Sequence, residues 1–427
     1  MKKLFLLGLL VITSFFIYGQ KVEDIISSKE AERIEKVLSA DEMMGRKTGT
    51  PGIAKASYFI AEEFKAAGLQ PFGNQLGFEQ QFTMLRPKFI ELKAEWDGED
   101  LEAKKVIVVT GKEKFEVDEK SGFEIIAVKP GINLMRQASQ LINSGKNYLV
   151  IVDESFTNEF TRISFLKRQL FALTNSVVFI LNNKEPKKFS ITAKHEFQWN
   201  AMNNVVGVLR GKTKSDEFVI FSAHYDHIGT GKPVNGDSIF NGANDDAAGT
   251  TAVIMLAKYF KALGNNERTL VFAAFTAEES GGYGSQYFSR QFDPGKVIAM
   301  FNIEMIGTDS KWGKNSAFIT GYEKTDMGAI MQKNLEGTGF SFHPDPYPDQ
   351  NLFYRSDNAT LARLGVPAHT VSTAKMDEEP HYHKVSDEIE TLDMENMAMI
   401  IKSIALSAKS IVNGKDTPAR VKVEELK

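Results

Sequence analysis

The sequence predicts an α/β fold in which a mostly parallel central sheet is covered by helices on both faces and carries an inserted subdomain. Continuous apolar runs such as "FVIFSA" and "TLVFAAF" lack polar–apolar alternation, which is typical of strands buried on both faces. Helical segments such as "AGTTAVIMLAKYFKALG" alternate with these runs, as parallel sheets require. Residues 85–190 differ, because short strand-like runs alternate there with polar turns.

The N-terminal residues, "MKKLFLLGLLVITSFFIYGQ", predict a secretory signal peptide over residues 1–19. Two lysines precede an apolar run that ends in a small glycine. An uncleaved membrane anchor is the alternative, although the run is short for a span of about 20 residues. We therefore expect an exported protein, periplasmic or extracellular, without a membrane segment after cleavage.

The next segments predict two helices joined by a turn. In "SSKEAERIEKVLSADEM" the residues Ile34, Val37 and Leu38 share one helical face. The second helix, within "GIAKASYFIAEEFKAAGLQPFG", ends at Gly68 and is followed by Pro71. The intervening "MMGRKTGTPG" is rich in glycine and threonine and predicts the turn.

These patterns divide the chain into a discontinuous main domain, an insert and a tail. The main domain is predicted over residues 20–84 and 191–415, and a polar C-terminal tail over 416–427. The insert, residues 85–190, contains the strand-like runs "KVIVV", "FEIIAV", "NYLVIV" and "SVVFIL" and the amphipathic stretch "NLMRQASQLINSG". It contains no cluster of metal-ligand residue types.

Composition limits the function. The net charge of −4 gives no basic footprint for nucleic acid. The chain has no cysteine, which excludes disulfides, thiolate ligands and a cysteine nucleophile. Any transition metal must therefore be held by histidine, aspartate and glutamate.

Such side chains follow successive apolar runs of the main domain. Because the carboxyl ends of parallel strands lie at one edge of a sheet, these side chains are predicted to converge. In chain order they are His224, Asp226 and His227, then Asp245 and Asp246 in "NGANDDAAG", Glu278 and Glu279, Glu304, and His381 and His383 in "EPHYHKVSDE".

This set suits zinc, and a shared carboxylate can bridge two ions. Two ions polarise a carbonyl and generate hydroxide at neutral pH, while a further carboxylate handles the proton. The pair Glu278–Glu279 can supply one ligand and one base. Each motif alone has an ordinary alternative, such as a helix N-cap at "NDDAAG" or a solvent-exposed turn at "EES". Their recurrence at strand ends favours a single site.

The ordered motifs resemble the co-catalytic di-zinc aminopeptidases of peptidase family M28. They cover most of the chain outside the signal peptide and the insert. The matching segments are "MMGRKTGTPG", "SAHYDHIG", "GDSIFNGANDDAAGT", "FTAEESGGYGS", "NIEMIG", "SDNATLARLGVPA" and "YHKVSDEIETLD". The resemblance implies a zinc aminopeptidase-like fold, two Zn²⁺ ions per chain and hydrolysis of peptide substrates.

The resemblance also implies the metal ligands. His224 and Glu304 would bind one zinc, Glu279 and His383 the other, and Asp245 would bridge the two. Glu304 stands where the family most often has aspartate. His381 is a competing imidazole, but the register of "YHKVSDE" favours His383.

Three further roles follow from the same resemblance. Asp226 would orient His224, and Glu278 would be the general base. Tyr382 would help stabilise the tetrahedral oxyanion.

His227 is interpreted as a neighbour of the site, while His195, His343 and His369 are interpreted as structural or exposed. Asn358 replaces a histidine common in the family, in a segment that shapes the pocket. The insert resembles a protease-associated domain in "RQASQLINSGKNYLVIVDES".

Three functions compete at this point. The first is an exopeptidase, for which release of N-terminal residues is favoured over the carboxypeptidase and dipeptidase reactions of related members. The second is a glutaminyl cyclotransferase, which uses the same fold with one zinc; the full ligand set speaks against it. The third is a peptidase-like binding protein without activity, which the intact base and ligands disfavour. Composition and motifs leave the oligomeric state open.

Overall fold

The computed structural model describes residues 24–426, so the predicted signal peptide lies outside the described residues. The α-helices are α1 (Ser28–Leu38), α2 (Pro51–Ala66), α3 (Leu134–Ile142), α4 (Thr157–Phe160), α5 (Ala248–Leu263), α6 (Tyr283–Ser289), α7 (Met327–Asn334), α8 (Asn358–Ala362), α9 (Met394–Ser407) and α10 (Lys409–Val412). The strands are β1 (Gln70–Pro71), β2 (Glu79–Trp96), β3 (Glu99–Asp100), β4 (Val106–Val109), β5 (Lys114–Asp118), β6 (Glu124–Val128), β7 (Tyr148–Val152), β8 (Leu170–Phe171), β9 (Val177–Leu181), β10 (Phe189–Leu209), β11 (Lys214–His224), β12 (Gly229–Val234), β13 (Asp237–Phe240), β14 (Arg268–Phe275), β15 (Val297–Ile303), β16 (Ser316–Ile319), β17 (Ser341–Pro344) and β18 (Ala368–Ser372).

The described chain forms two compact units. The first contains residues 24–47, 51–78 and 205–426, and the second contains residues 48–50 and 79–204. The boundaries 85 and 190 expected from the sequence fall inside the long strands β2 and β10. The sequence gives no signal at the observed boundaries between the two units, because β2 and β10 each continue through the position predicted as a boundary.

The first unit is built on a sheet with the strand order β1, β10, β14, β11, β15, β18, β16, β17. Strands β14, β11, β15 and β18 are mutually parallel, and β10 and β16 pair antiparallel with their central neighbours. The α/β class with a mostly parallel central sheet, predicted from the uninterrupted apolar runs, is confirmed.

Helices cover both faces of this sheet. Alternate strand residues point to opposite sides, so each strand contributes side chains to a core on each face. Phe221 and Phe272 pack into the core beneath α1, α2, α5 and α9. Ile220 and Val271 pack into the opposite core, to which α6 and α8 contribute. Both cores are therefore filled by the same strands, which explains their continuous hydrophobicity.

Local signals set the helix ends. The Ser27 side chain accepts a hydrogen bond from the Glu30 N–H and begins α1. Helix α5 ends at Gly264, whose φ of 55° is the left-handed conformation common after helix C-termini. Asp393 begins α9 by accepting from the Asn396 N–H.

The second unit contains a four-stranded sheet in the order β4, β9, β7, β6. Three of its strands are parallel, and β4 is antiparallel to β9. Helix α3 packs Leu134, Ala138 and Leu141 into its core. The four apolar runs and the amphipathic stretch of the predicted insert correspond to these elements.

The predicted C-terminal tail lies along the first unit. The Arg420 side chain donates to the carbonyls of Val297 and Pro294, and Val421 is buried. Within residues 24–426, no helix is both long and apolar enough to cross a membrane.

Candidate active site

The polar residues predicted to converge lie at one edge of the first unit's sheet. His224 is the last residue of β11, Glu304 directly follows β15, and Glu278 and Glu279 lie in the turn after β14. Asp245 lies in the turn that begins α5. His383 lies in the loop between β18 and α9 and reaches the same place.

One group of possible metal ligands contains His224, Asp245 and Glu304, whose ligand atoms all lie within 4.8 Å of one another. The Nε2 atom of His224 is 3.2 Å from Asp245 Oδ1. Its Nδ1 atom is 3.1 Å from the main-chain carbonyl of Asp226, which can only accept a hydrogen bond. Nδ1 therefore carries a proton, which leaves Nε2 as the ring atom that can face a metal ion.

A second group contains His227, Asp245 and Glu279, again within 4.8 Å. The Nδ1 atom of His227 is 2.8 Å from Glu279 Oε1. The Nε2 atom of His383 is 3.2 Å from both Asp245 Oδ2 and Glu279 Oε1. Sequence reasoning gave His227 no role, whereas the structure places it against Glu279. His381 lies apart from these carboxylates and contacts Ser386 instead.

The donor atoms fit a metal centre. His224 Nε2, both ring nitrogens of His227 and Glu279 Oε1 are buried and have no hydrogen-bond partner among the described residues. Nitrogen and oxygen atoms thus approach within 2.8–3.2 Å without hydrogen-bond alignment. Leaving buried polar atoms unpaired costs free energy, and shared cations would satisfy them. Imidazole and carboxylate donors without sulfur are a normal zinc set.

The carboxylates differ in their electrostatic environment. Burial raises the pKa of Asp245, but contacts with His224 and His383 outweigh it and hold the pKa far below its usual range. Burial likewise opposes the imidazole contacts at Glu279, whose pKa is lowered to about 2. Burial together with neighbouring carboxylates raises the pKa of Glu278 well above its usual value and that of Glu304 to about 7.

Asp226 lies between His224 and Glu278. Its Oδ1 atom accepts a hydrogen bond from the Glu278 N–H at 3.0 Å and is 3.8 Å from His224 Nδ1. The hydrogen bond that orients the His224 ring is accepted by the main-chain carbonyl of Asp226, not by its carboxylate. The Asp226 carboxylate links the histidine turn to the glutamate turn, and burial raises its pKa to about 7.

Two further acids hold the main chain around the ligands, and sequence reasoning assigned neither a role. Asp246 accepts hydrogen bonds from the N–H groups of His224, Gly249 and Met305. Asp387 accepts from the N–H groups of Asn244 and Asp245 at 2.8 and 3.0 Å. The peptide bond between Asp245 and Asp246 is cis. Both acids stand next to motif residues, but only the fold shows what they bind.

A cavity of about 110 Å³ opens beside the ligands. Its wall is partly apolar, with Met305, Phe318, Leu352, Ala374 and Met376. Tyr382 also lines the cavity and stacks on the His383 ring at a centroid distance of 4.0 Å.

Asn358 lies behind this wall. Its side chain donates to the carbonyls of Phe353 and Ala368 and accepts from Thr370. It therefore fastens the segment that carries Arg355 and Ser356, both of which face the cavity.

The remaining histidines lie outside the site. His369 is buried and bonds to Thr320 and Thr325, and His343 stacks on Trp312. His195 is buried in the second unit.

Comparison with known proteins gives a family match and curated relatives. The sequence profile described as "Peptidase family M28" matches residues 204–408. A "Probable leucine aminopeptidase" of Trichophyton verrucosum is 30% identical over 204 residues, 45% of this chain and 53% of the relative. "Leucine aminopeptidase 1" of Neurospora crassa is 27% identical over 225 residues, 49% of this chain and 53% of the relative. The chain spans about half the length of these curated relatives.

Solved structures share the fold at low identity. The aminopeptidase from Aneurinibacillus sp. strain AM-1 has a TM-score of 0.53 at 19% identity, covering 95% of this chain and 98% of that one. The zinc aminopeptidase BSAP from Bacillus subtilis has a TM-score of 0.54 at 16% identity, covering 94% and 97%. The matched residues include both groups of possible metal ligands described above. Residues 204–408 of this chain therefore belong to peptidase family M28.

Proposed function

We propose that this chain is an exported, zinc-dependent aminopeptidase that binds two Zn²⁺ ions and releases N-terminal residues from peptides. One observation carries the proposal: the two groups of possible ligands share Asp245. A carboxylate that belongs to both groups would help to hold both ions of a co-catalytic pair. The leucine aminopeptidases among the relatives support the reaction type.

We assign His224 and Glu304 to one ion, Glu279 and His383 to the other, and Asp245 to both. His383 is preferred over His227 for a geometric reason. Its Nε2 atom is equally close to Asp245 and Glu279, whereas His227 Nδ1 is 3.9 Å from Asp245 Oδ2. The imidazole that would hold an ion together with Asp245 and Glu279 needs a nitrogen near both of their carboxylates.

The chain's own residues would then divide the work. When bound, the ions would polarise the scissile carbonyl and lower the pKa of water. Glu278 takes the proton of the attacking water on its carboxylate and passes it to the leaving amine. The Tyr382 hydroxyl donates a hydrogen bond to the oxyanion. Asp226 holds the His224 ring through its main-chain carbonyl and the Glu278 main chain through its carboxylate.

The partly apolar cavity supports an apolar N-terminal side chain as substrate. Met305, Phe318, Leu352 and Met376 offer a surface for such a side chain beside the ligands. Charged N-terminal side chains would lose hydration there without a matching partner on these four residues.

A substrate panel tests the proposal. The purified chain is assayed with p-nitroanilides of leucine, methionine, alanine, glutamate and lysine, each with its N-acetylated counterpart as control. We expect hydrolysis of the leucine and methionine compounds and none of the acetylated ones. Equal hydrolysis of acetylated substrates would contradict the aminopeptidase assignment. Cyclisation of N-terminal glutamine without hydrolysis would favour a glutaminyl cyclotransferase.

A further inference from the structure

Arg46 connects the two turns that carry the candidate ligands His224, His227 and Asp245. Its side chain is completely buried. Nε donates to the carbonyl of Tyr225 at 2.8 Å, and Nη2 donates to that of Gly242 at 2.8 Å. Nη1 donates to the carbonyls of Asn241 and Leu38 at 2.6 and 2.7 Å. One guanidinium therefore joins the turn after β11, the turn before α5 and the end of α1.

The residues that accept these hydrogen bonds lie close in sequence to candidate ligands. Tyr225 lies between His224 and Asp226, and Gly242 lies three residues before Asp245. The main-chain carbonyl of Arg46 also accepts a hydrogen bond from the His227 N–H at 3.4 Å. Movement of Arg46 would therefore displace residues of both ligand groups together.

The surrounding turn is built for close approach. Gly45 has a φ of 62°, and a Cβ atom there would lie 2.5 Å from the carbonyl oxygens of Gly229 and Phe240. Only glycine fits this position without displacing the main chain on either side of the site. The backbone that presents Arg46 is thereby fixed against β12 and β13.

Arginine suits this place better than lysine. Its planar guanidinium offers five donors in fixed directions, whereas an ammonium offers three on a flexible chain. None of the described carboxylates forms an ion pair with Arg46, so its donors go to main-chain oxygens. The ionised carboxylate of Asp245 contributes to balancing its charge at longer range.

We propose that Arg46 is a positioning residue that locks the two ligand-bearing turns in the geometry that binds metal. The inference rests on the metal site of the proposed function. It gives a role to the "GR" of the motif "MMGRKTGTPG", for which the reaction itself has no use. Residues that orient metal ligands typically change affinity by about 10–100-fold when they are replaced.

The test measures zinc affinity by titration of the metal-free full-length chain against a competing chelator. We expect Arg46→Met to bind zinc at least about tenfold more weakly than the unmodified chain. Electrostatics predicts the opposite sign, because removing a positive charge near the site favours a cation. A weakened affinity therefore reports lost geometry.

Arg268 offers a matched control. It is as deeply buried, and it donates to the carbonyls of Ile411 and Asp416, away from the ligands. Arg268→Met is expected to lower the thermal midpoint while zinc affinity stays unchanged. Arg46→Lys keeps the positive charge but lacks the planar guanidinium and its fixed donor directions. It replaces Arg46→Met in the test if that variant fails to fold, and it is also expected to bind zinc more weakly than the unmodified chain.

Unchanged zinc affinity in a folded Arg46 variant would overturn the inference and leave the proposed function standing. An equal loss of affinity in Arg268→Met would also overturn it, because any destabilisation would then suffice. If the unmodified chain binds no zinc, the proposed function itself fails.

Discussion

At the residue scale, two adjacent glutamates have opposite environments. Glu279 lies against His227 and His383, and these imidazoles hold its pKa at about 2 despite burial. Glu278 is buried among the carboxylates of Glu304, Asp357 and Asp226, and its pKa is raised. Active sites give different roles to two carboxyl groups by placing them in environments that shift their pKa values apart. This difference suits Glu279 to the role of ligand and Glu278 to that of base.

Replacing Glu278 by glutamine tests the base. Glu278→Gln removes the proton acceptor and preserves the size of the side chain, so we expect zinc binding to persist and kcat to fall by about 10²–10⁴-fold. Zinc content and leucine p-nitroanilide kinetics measure the two effects. As a control, Glu279→Gln should lose zinc. Full activity of Glu278→Gln would rule out Glu278 as the base.

Alanine variants of the two histidines beside Glu279 show which of them is a zinc ligand. His383→Ala is expected to reduce zinc content from two ions to one, because it removes a nitrogen close to both carboxylates. His227→Ala is expected to retain two ions with weaker affinity. Metal analysis after gel filtration distinguishes them. The reverse pattern would make His227 the ligand.

The positions of site residues were predictable only where the residues belong to a recognisable sequence motif. Of the eight site residues named from the sequence, five lie at or just after strand ends, two lie in the "HYH" loop, and Asp245 lies in the turn that begins α5. Asp246, Asp387 and Arg46 act through main-chain hydrogen bonds to residues distant in sequence. Such contacts depend on the tertiary fold, and residue type gives no signal for them.

At the element scale, α1 carries a buried acid into the core. The Glu35 carboxylate accepts a hydrogen bond from Thr251 of α5 at 2.8 Å, and burial raises its pKa from 4.5 to about 8. The folded protein therefore keeps Glu35 protonated at pH values where the unfolded chain ionises it. The free energy of unfolding consequently decreases as the pH rises from 4.5 to about 8.

Glu35→Gln is expected to remove this loss. Glutamine keeps an acceptor for Thr251 and cannot ionise, so the variant should gain up to about 3 kcal/mol at pH 7 and little at pH 4.5. Denaturant unfolding at several pH values measures the difference. Glu32→Gln, at a solvent-facing position of the same helix, is the control. A gain that is independent of pH would contradict the assigned ionisation.

The elements themselves were predictable where one physical signal dominates. Strands β11, β14 and β15 are buried on both faces, and their apolar runs mark them clearly. The short strands β16 and β17 at the sheet edge give no comparable run, so the sequence predicted neither. Strand β10 is 21 residues long; its residues alternate between buried and exposed at first, are mostly exposed in the middle and are buried over 204–207, so no single periodicity describes it.

At the scale of the whole molecule, the candidate ligands come from five segments between residues 224 and 383. Ions held between them would tie distant parts of the first unit together. A ligand that binds only the folded state stabilises it by about 2.7 kcal/mol at one hundred times its dissociation constant. The metal centre is therefore expected to contribute to stability as well as to catalysis.

Removing the metal tests this contribution. We expect a chelator to lower the thermal midpoint and added zinc to restore it, because binding favours the folded state. Asp245→Asn is the matched control, and its midpoint should not respond to chelator or zinc. Differential scanning calorimetry measures both proteins. A midpoint of the unmodified chain that ignores chelator would argue against a structural contribution of the ions.

The proposed function depends on two ions that would share Asp245. Its most direct test is the zinc stoichiometry of the metal-free chain, measured by calorimetric titration of the unmodified protein and of Asp245→Asn. We expect two equivalents of zinc for the unmodified chain and a marked loss at both sites in the variant. One equivalent or none in the unmodified chain, or a variant that still binds two, would contradict it.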